Sequence, residues 1–292
     1  MNILITGAGG FLGSALARRL GEMDHQVSLL VRKNTDLYRL TDLSIYKIGR
    51  CETDQEITQF IREVYPDIVI HTACCYGRNG ESIIKIIDSN LRFGALILNV
   101  INSLEKKVSF INTGTVLSRD VSLYALTKIQ FQELGIYETK HSNRNTQFIN
   151  IKLQHMYGPG DSASKFTSYV INACRNNVSK LPLSLGEQTR DFVYIDDVVD
   201  AYITILENLS KLEKAQHIEL GSGEAPCLRD FVETVHKLTS SKTELLFGQI
   251  PYRENDVMCM VANIDKLKSM GWIPKFDLEA GIKKTIEMDV AK

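Results

Sequence analysis

Apolar side chains in this chain fall into two patterns, short continuous runs and longer stretches that recur at helical spacing. Ile3-Leu4-Ile5, Gln26 to Val31, Ile45 to Ile48, Asp67 to Ala73 and Val108 to Asn112 are runs of the first kind, and they predict buried strands. Between them, Leu12, Leu16 and Leu20 share one stripe, as do Ile57, Phe60, Ile61 and Val64, and these predict helices. Thr53-x-x-Glu56 is a capping box for the second helix, and Pro66 stops it. Strand and helix alternating in this way predict a doubly wound α/β fold with a parallel sheet covered on both faces.

From Ser82 to Lys106 the pattern predicts one long helix whose apolar coverage, with Ile83, Ile84, Ile86, Ile87, Leu91, Leu96, Ile97 and Leu98, is broader than one sheet face needs. The surplus points to a second partner for this helix, a two-fold homodimer. Past Lys165-Phe166 the chain predicts a helix to about Asn176, a strand from Leu181 to Leu185, and a strand from Arg190 to Ile195. Asp196-Asp197 then caps a helix carrying Val198, Val199, Tyr202, Ile205 and Leu206. Gln216 to Leu220, the Gly221-Ser222-Gly223 turn and a helix with Phe231, Val232, Val235 and Leu238 complete a smaller α/β unit. Asp265, Lys266 and Lys268 read as a solvated helix face.

A chain of 292 residues, 44% hydrophobic and 24% charged, can bury a full core in one large domain or two interlocked ones. A net charge of −1 with the signs intermixed argues against nucleic acid or an anionic membrane as the main partner. No apolar run approaches the roughly 18 residues of a membrane span, and nothing resembles a secretory leader. The six cysteines show no C-x-x-C pair and no metal-ligand spacing, so they read as reduced thiols of a cytoplasmic protein, with Cys74-Cys75 as strand-end packing.

Thr6-Gly7-Ala8-Gly9-Gly10-Phe11-Leu12-Gly13 follows the first strand and opens the first helix. Gly7 allows a tight turn, Gly10 lets backbone meet a pyrophosphate, and the helix start at Phe11 and Leu12 faces the anion, which predicts a dinucleotide. The second strand runs into Arg32-Lys33 instead of an acidic residue, so the 2′ position favours a phosphate and NADP(H) over NAD. His71 reads as a strand-packing residue. The fifth strand delivers Thr113-Gly114-Thr115 just ahead of Tyr124-Ala125-Leu126-Thr127-Lys128. Tyr124 and Lys128 share a helix face, and a cation beside a phenol favours its ionised form and lowers its pKa. Thr113, assisted by Thr115, can hydrogen-bond a reacting carbonyl across the same crevice.

In this order, these pieces resemble the extended short-chain dehydrogenase/reductase superfamily of nucleotide-sugar epimerases, dehydratases and ketoreductases. The residues that carry the resemblance span the chain: Thr6-Gly7-x-x-Gly10-x-x-Gly13, Ile70-His71-x-Ala73, Asn90-x-x-x-Gly94, Thr113 with Tyr124-x-x-x-Lys128, Tyr157-Gly158-Pro159-Gly160-Asp161, Arg190-Asp191-Phe192-Val193-Tyr194-Ile195-Asp196-Asp197, Arg253-x-x-Asp256 and Gly271-Trp272-x-Pro274. The resemblance implies a Rossmann domain over residues 1–164, joined by 190–210, and a mainly nucleotide-sugar-binding domain over 165–292. It implies Thr113, Tyr124 and Lys128 as the catalytic set. Cofactor contacts would come from Gly7, Gly10, Phe11, Leu12, Arg32, Lys33, Ala73, Asn90, Lys128 and His155, and substrate contacts from Tyr76, Thr115, Lys165, Phe166, Arg190, Arg253 and Asp256.

Dehydratases of this superfamily carry an Asp-Glu pair after the catalytic threonine, where this chain has Gly114-Thr115, so elimination of water is not implied. His155, Lys165-Phe166, Gln188-x-Arg190-Asp191-Phe192 and Arg253-Glu254-Asn255-Asp256 resemble the CDP-sugar reductases that make CDP-paratose and CDP-abequose. That branch implies NADPH-dependent reduction of a C4 keto group on a CDP-linked deoxyhexose, for O-antigen-type sugars. Two alternatives stay open: a 4-epimerase that keeps NAD bound, which Arg32-Lys33 argues against, and a non-catalytic NADP-sensing protein, which would not need both Tyr124 and Lys128.

Overall fold

The computed structural model describes residues 1–41, 47–142, 145–252 and 256–290. The chain divides into two compact units, Met1–Lys152 with Ile205–Ile218, and Leu153–Thr204 with Glu219–Lys292.

The first unit begins with β1 (Asn2–Thr6), α1 (Phe11–Glu22) and β2 (Gln26–Val31). Next come β3 (Lys47–Arg50), α2 (Asp54–Val64) and β4 (Ile68–His71). The third strand was expected from Ile45, which lies outside the described residues. Thr53 and Glu56 form the capping box at 3.0 and 3.2 Å. α2 ends at Val64, where Tyr65 turns left-handed (φ 47°) just before Pro66.

The stretch expected as one helix is interrupted. α3 (Ile83–Ile87) passes into a π turn at Asp88–Arg92 and then into α4 (Phe93–Asn102). A π turn re-aims one side chain inward, and here that side chain is Asn90, which is fully buried. Ile97, Leu98, Val100 and Ile101 join the core, while Ile83 and Ile84 are exposed at 62% and 67%. The apolar surplus is thus confined to α3. β5 (Ser109–Thr113), α5 (Leu123–His141) and β6 (Gln147–Leu153) follow.

The second unit carries β7 (His155–Tyr157), α6 (Phe166–Arg175), β8 (Lys180–Leu183) and β9 (Phe192–Tyr194). α7 (Ile195–Glu207) and β10 (Ala215–Leu220) lead back through the first unit, and α8 (Leu228–Leu238), β11 (Glu244–Phe247), α9 (Asp265–Ser269) and α10 (Leu278–Val290) complete the chain. β7 pairs β9 and β8 pairs β11, both parallel. Asp196 and Asp197 lie inside the first turn of α7, and the Asp197 carboxylate accepts from Lys275 N and Phe276 N at 2.9 and 3.1 Å instead of capping.

In the first unit, seven strands form one sheet in the order β10-β6-β5-β4-β1-β2-β3. β3-β2-β1-β4-β5-β6 pair in parallel throughout. This is the Rossmann order with one strand added at the β6 edge. β10 therefore returns to the sheet, and Ile205–Ile218 groups with the first unit. The opening segment of the first unit runs to Lys152, near the end of β6. Strand order reverses between β1 and β4, and in open sheets of this kind ligands bind at the carboxyl ends of the strands flanking that reversal. The core around it joins Leu4, Val69, Ile97, Phe110, Phe131 and Phe148.

Candidate active site

The turn after β1 meets the end of β4 at the reversal. Gly7 has φ +71°, and a Cβ there would stand 2.6 Å from Ala73 N, so only glycine fits. Thr72 Oγ1 donates to Thr6 O at 2.7 Å, tying the two strand ends together. Gly10 N donates to Gly7 O at 2.9 Å and starts α1, whose first turn at Phe11 and Leu12 has no side-chain cap. An uncapped helix start framed by a glycine turn suits a dinucleotide pyrophosphate.

Arg32 and Lys33 are exposed at the end of β2. Arg50 Nη1 donates to Lys33 O at 2.8 Å and Thr35 O at 3.0 Å, bracing their loop from β3. Gly9 abuts the Thr35 side chain and the Asp36 carbonyl, so this cationic loop closes on the glycine turn. That is where a dinucleotide on α1 carries its ribose 2′ position.

Thr113 is the last residue of β5. Ser122 caps α5 by accepting from Ala125 N at 3.2 Å, which fixes the helix start one residue before Tyr124. Tyr124 is half-buried and Lys128, one turn on, is 2% exposed. The Thr115 hydroxyl acts on the Tyr124 phenol in favour of its ionised form, and the Tyr76 ring lies 4.8 Å from the Tyr124 ring at 31°.

Burial opposes ionisation of both members of the Tyr124–Lys128 pair. It raises the phenol above its ordinary value and lowers the ammonium below its own. A charge on Cys74 would oppose ionisation of the phenol, while the Thr115 hydroxyl and the Arg78 guanidinium favour it. The expectation that Lys128 lowers the phenol is therefore corrected for the protein alone: burial raises it, and the groups that favour its ionised form are Thr115 and Arg78. Tyr124 keeps its proton at neutral pH, the state a proton donor needs.

Buried polar side chains hold these groups in place. Asn90 Oδ1 accepts from Cys75 N at 2.7 Å, and Asn90 Nδ2 donates to Cys75 O at 2.9 Å and Thr127 Oγ1 at 3.0 Å. Its amide is thus committed to the loop after β4 and to α5. Asn112 on β5 donates to Asn150 Oδ1 on β6 at 2.6 Å, and Asn150 Nδ2 reaches Gln132 Oε1 at 2.9 Å and His217 Nδ1 at 3.1 Å. Gly114 packs directly on the Asn150 amide, so this ladder seats the Thr113-Gly114-Thr115 turn. His71 is fully buried among Phe93, Phe110 and Phe131 with Nδ1 at 2.8 Å from Thr6 Oγ1, and burial holds its pKa well below the usual value.

The second unit holds the remaining sequence-predicted residues. Lys165 Nζ pairs with Asp161 Oδ2 at 3.0 Å, and Phe166 opens α6 with its ring 5.9 Å from Phe231. Arg190, 8% exposed, donates to Asp256 Oδ1 at 2.5 Å, Val257 O at 2.6 Å and Thr189 O at 2.8 Å. The two residues expected on substrate thus bind each other, since a buried guanidinium must be paired. Burial, then Arg190 and Lys165, hold His155 down to about 4, so its imidazole is neutral at pH 7. Arg253 lies outside the described residues.

The profile of the NAD dependent epimerase/dehydratase family matches residues 3–221. The chain belongs to that family. The CDP-abequose synthase of Salmonella typhimurium is 31% identical over 297 residues, covering 98% of this chain and 97% of that one. Among solved structures, the UDP-glucose 4-epimerase of Thermotoga maritima with UDP-glucose matches with a TM-score of 0.85 at 20% identity, covering 100% and 99% of the two chains. The Thermus thermophilus UDP-glucose 4-epimerase in complex with NAD matches at 0.83 and 21%, covering 99% of each. These structures share the Rossmann α/β fold of this epimerase/dehydratase chain.

Sequence reasoning thus brought Gly7, Gly10, Ala73, Tyr76, Thr115, Tyr124 and Lys128 into one unit around one strand reversal. It gave no site role to Arg78, which bears on Tyr124, and passed over the asparagine ladder. The ladder had a signal, because Phe110-Ile111-Asn112 and Phe148-Ile149-Asn150 are the same tripeptide in two neighbouring apolar runs. In the sheet they lie in register.

Proposed function

We propose that this chain is an NADPH-dependent 4-ketoreductase that acts, as a cytoplasmic homodimer, on a CDP-linked 4-keto-3,6-dideoxy hexose and yields CDP-paratose or CDP-abequose. The observation that carries the reading is a Tyr124 phenol one helical turn from Lys128, packed on the Tyr76 ring at 4.8 Å and held in its protonated form by burial. Similarity to a CDP-abequose synthase over 98% of the chain supports the substrate class. Arg32 and Lys33 on a braced loop support the phosphorylated cofactor.

When bound, the nicotinamide dinucleotide supplies the hydride for C4 of the sugar. Gly7, Gly10 and the backbone of Phe11 and Leu12 hold its pyrophosphate, and Arg32 and Lys33 take the 2′-phosphate. Thr113 and Thr115 orient the C4 carbonyl by hydrogen bonding to its oxygen. Tyr124 gives its proton to that oxygen as negative charge develops there, and Lys128 stabilises the resulting phenolate. With Gly114-Thr115 in place of an acid pair, no side chain after Thr113 removes a proton for elimination.

The test is incubation with NADPH and a panel of CDP-, dTDP- and UDP-linked 4-keto sugars, with the product read by NMR. Consumption of NADPH with the CDP sugar and a new C4 hydroxyl, of paratose or abequose configuration, is expected. A chain that carries tightly bound NAD and interconverts C4 epimers without consuming NADPH would be an epimerase instead.

A further inference from the structure

The loop after β4 is a built element of the site. Gly77 has φ +70° and Gly80 φ +73°, and a Cβ on Gly77 would stand 2.8 Å from Ile86 Cδ1, so the loop seats on α3 in a conformation that glycine permits. Asn90 grips the same loop through both polar groups of Cys75. One and three residues further on, this loop presents Tyr76 and Arg78. The Arg78 guanidinium carbon lies 5.1 Å from the centre of the Tyr76 ring, and that ring lies 4.8 Å from the ring of Tyr124. Arg78, Tyr76 and Tyr124 thus form a continuous stack from an exposed cation to the proposed proton donor.

We propose that Arg78 is a positioning residue for the Tyr124 phenol: its guanidinium packs on Tyr76, holds that ring against Tyr124, and brings a positive charge to the phenol from the loop. The groups bearing on the phenol come from three elements. Lys128 lies one turn along the phenol's own helix, while Cys74, Tyr76 and Arg78 on the loop after β4 and Thr115 on the turn after β5 act on the phenol directly. Burial lowers the pKa of Lys128, and a charge on Cys74 would oppose ionisation of the phenol. A guanidinium carries its charge across the whole working pH range, so Arg78 is the steadier cation. As the phenol passes its proton to substrate, that charge stabilises the phenolate left behind.

The kinetic arm of the test rests on the ketoreductase reading, and the titration arm does not. Wild type, Arg78→Gln and Arg78→Lys are prepared with ring-carbon-labelled tyrosine, and the Tyr124 signal is assigned from Tyr124→Phe and followed against pH by NMR. The glutamine variant should titrate higher than wild type by about half a pH unit or more, and the lysine variant should bring it back. In turnover, the glutamine variant should lose several-fold in kcat with its basic limb moved to higher pH, while KM for the sugar nucleotide and binding of NADPH change little. Coincident titrations of wild type and Arg78→Gln overturn the proposal. So does a rise in KM with kcat and titration unchanged, which would make Arg78 a substrate-binding residue. If the titration moves as expected but wild type reduces no 4-keto sugar, the ketoreductase reading falls and the Arg78 assignment stands.

Discussion

Asn90 holds Cys75 by both backbone groups, accepting from its N–H at 2.7 Å and donating to its carbonyl at 2.9 Å. The same amide reaches Thr127 on α5, one residue before Lys128. A single buried side chain, turned inward by the π turn, thus couples the Tyr76–Arg78 loop to the helix that carries the Tyr124–Lys128 pair.

Asn90→Leu should therefore cost about 1–3 kcal/mol of stability, because it leaves the half-buried N–H and carbonyl of Cys75 without their partner. Urea denaturation checks the stability. Turnover should fall by more than cofactor affinity, since the glycine turn that holds the pyrophosphate is tied to β4 through Thr72 and not through Asn90.

On the proposed reading, the cationic loop after β2 sets cofactor choice. Replacing Arg32 and Lys33 together by glutamine should weaken NADPH about 10- to 100-fold and leave NADH affinity close to wild type. Fluorescence titration of the two reduced cofactors measures both. Equal losses for the two would remove the 2′-phosphate from the account.

Legibility in the sequence followed the range of the interactions. Gly7, the capping box at Thr53 and Glu56, and the Tyr124–Lys128 pair were readable because each is defined by backbone conformation or by spacing within one turn. The break in the Ser82–Lys106 helix was not, since the π turn exists to satisfy Cys75, a partner on another element. The pairing of Arg190 with Asp256 was hidden for the same reason. The direction of the Tyr124 shift was misjudged because helical spacing shows the neighbouring charge and does not show the burial that opposes it.

Arg190 and Asp256 form a nearly buried pair, with side chains 10% and 17% exposed. Asp256→Ala leaves the guanidinium without its carboxylate and should destabilise by about 3–5 kcal/mol. Arg190→Met combined with Asp256→Leu should lie closer to wild type than Asp256→Ala, because neither charge is then stranded. Thermal unfolding of the three proteins compares them.

His155 gives stability a pH dependence of defined sign. Its folded pKa is lowered to about 4 from an ordinary 6.5, so between those values the unfolded chain binds the proton and the folded one does not. This contribution is complete above about pH 6.5 and is lost as pH falls toward 4. His155→Gln should flatten the decline of stability between pH 7 and pH 5 in urea denaturation, with His25, His71 and His217, which are also lowered, contributing to the remainder.

The central claim is that Tyr124 delivers the proton of a reduction that consumes NADPH. The direct measurement mixes NADPH and the CDP-linked 4-keto sugar with wild type and with Tyr124→Phe, and follows NADPH absorbance to completion. The account predicts one NADPH oxidised for each keto sugar by wild type, and turnover lower by at least about a hundredfold in the phenylalanine variant with NADPH affinity unchanged. Near-normal turnover in Tyr124→Phe, or conversion of the sugar by wild type without net loss of NADPH, would contradict it.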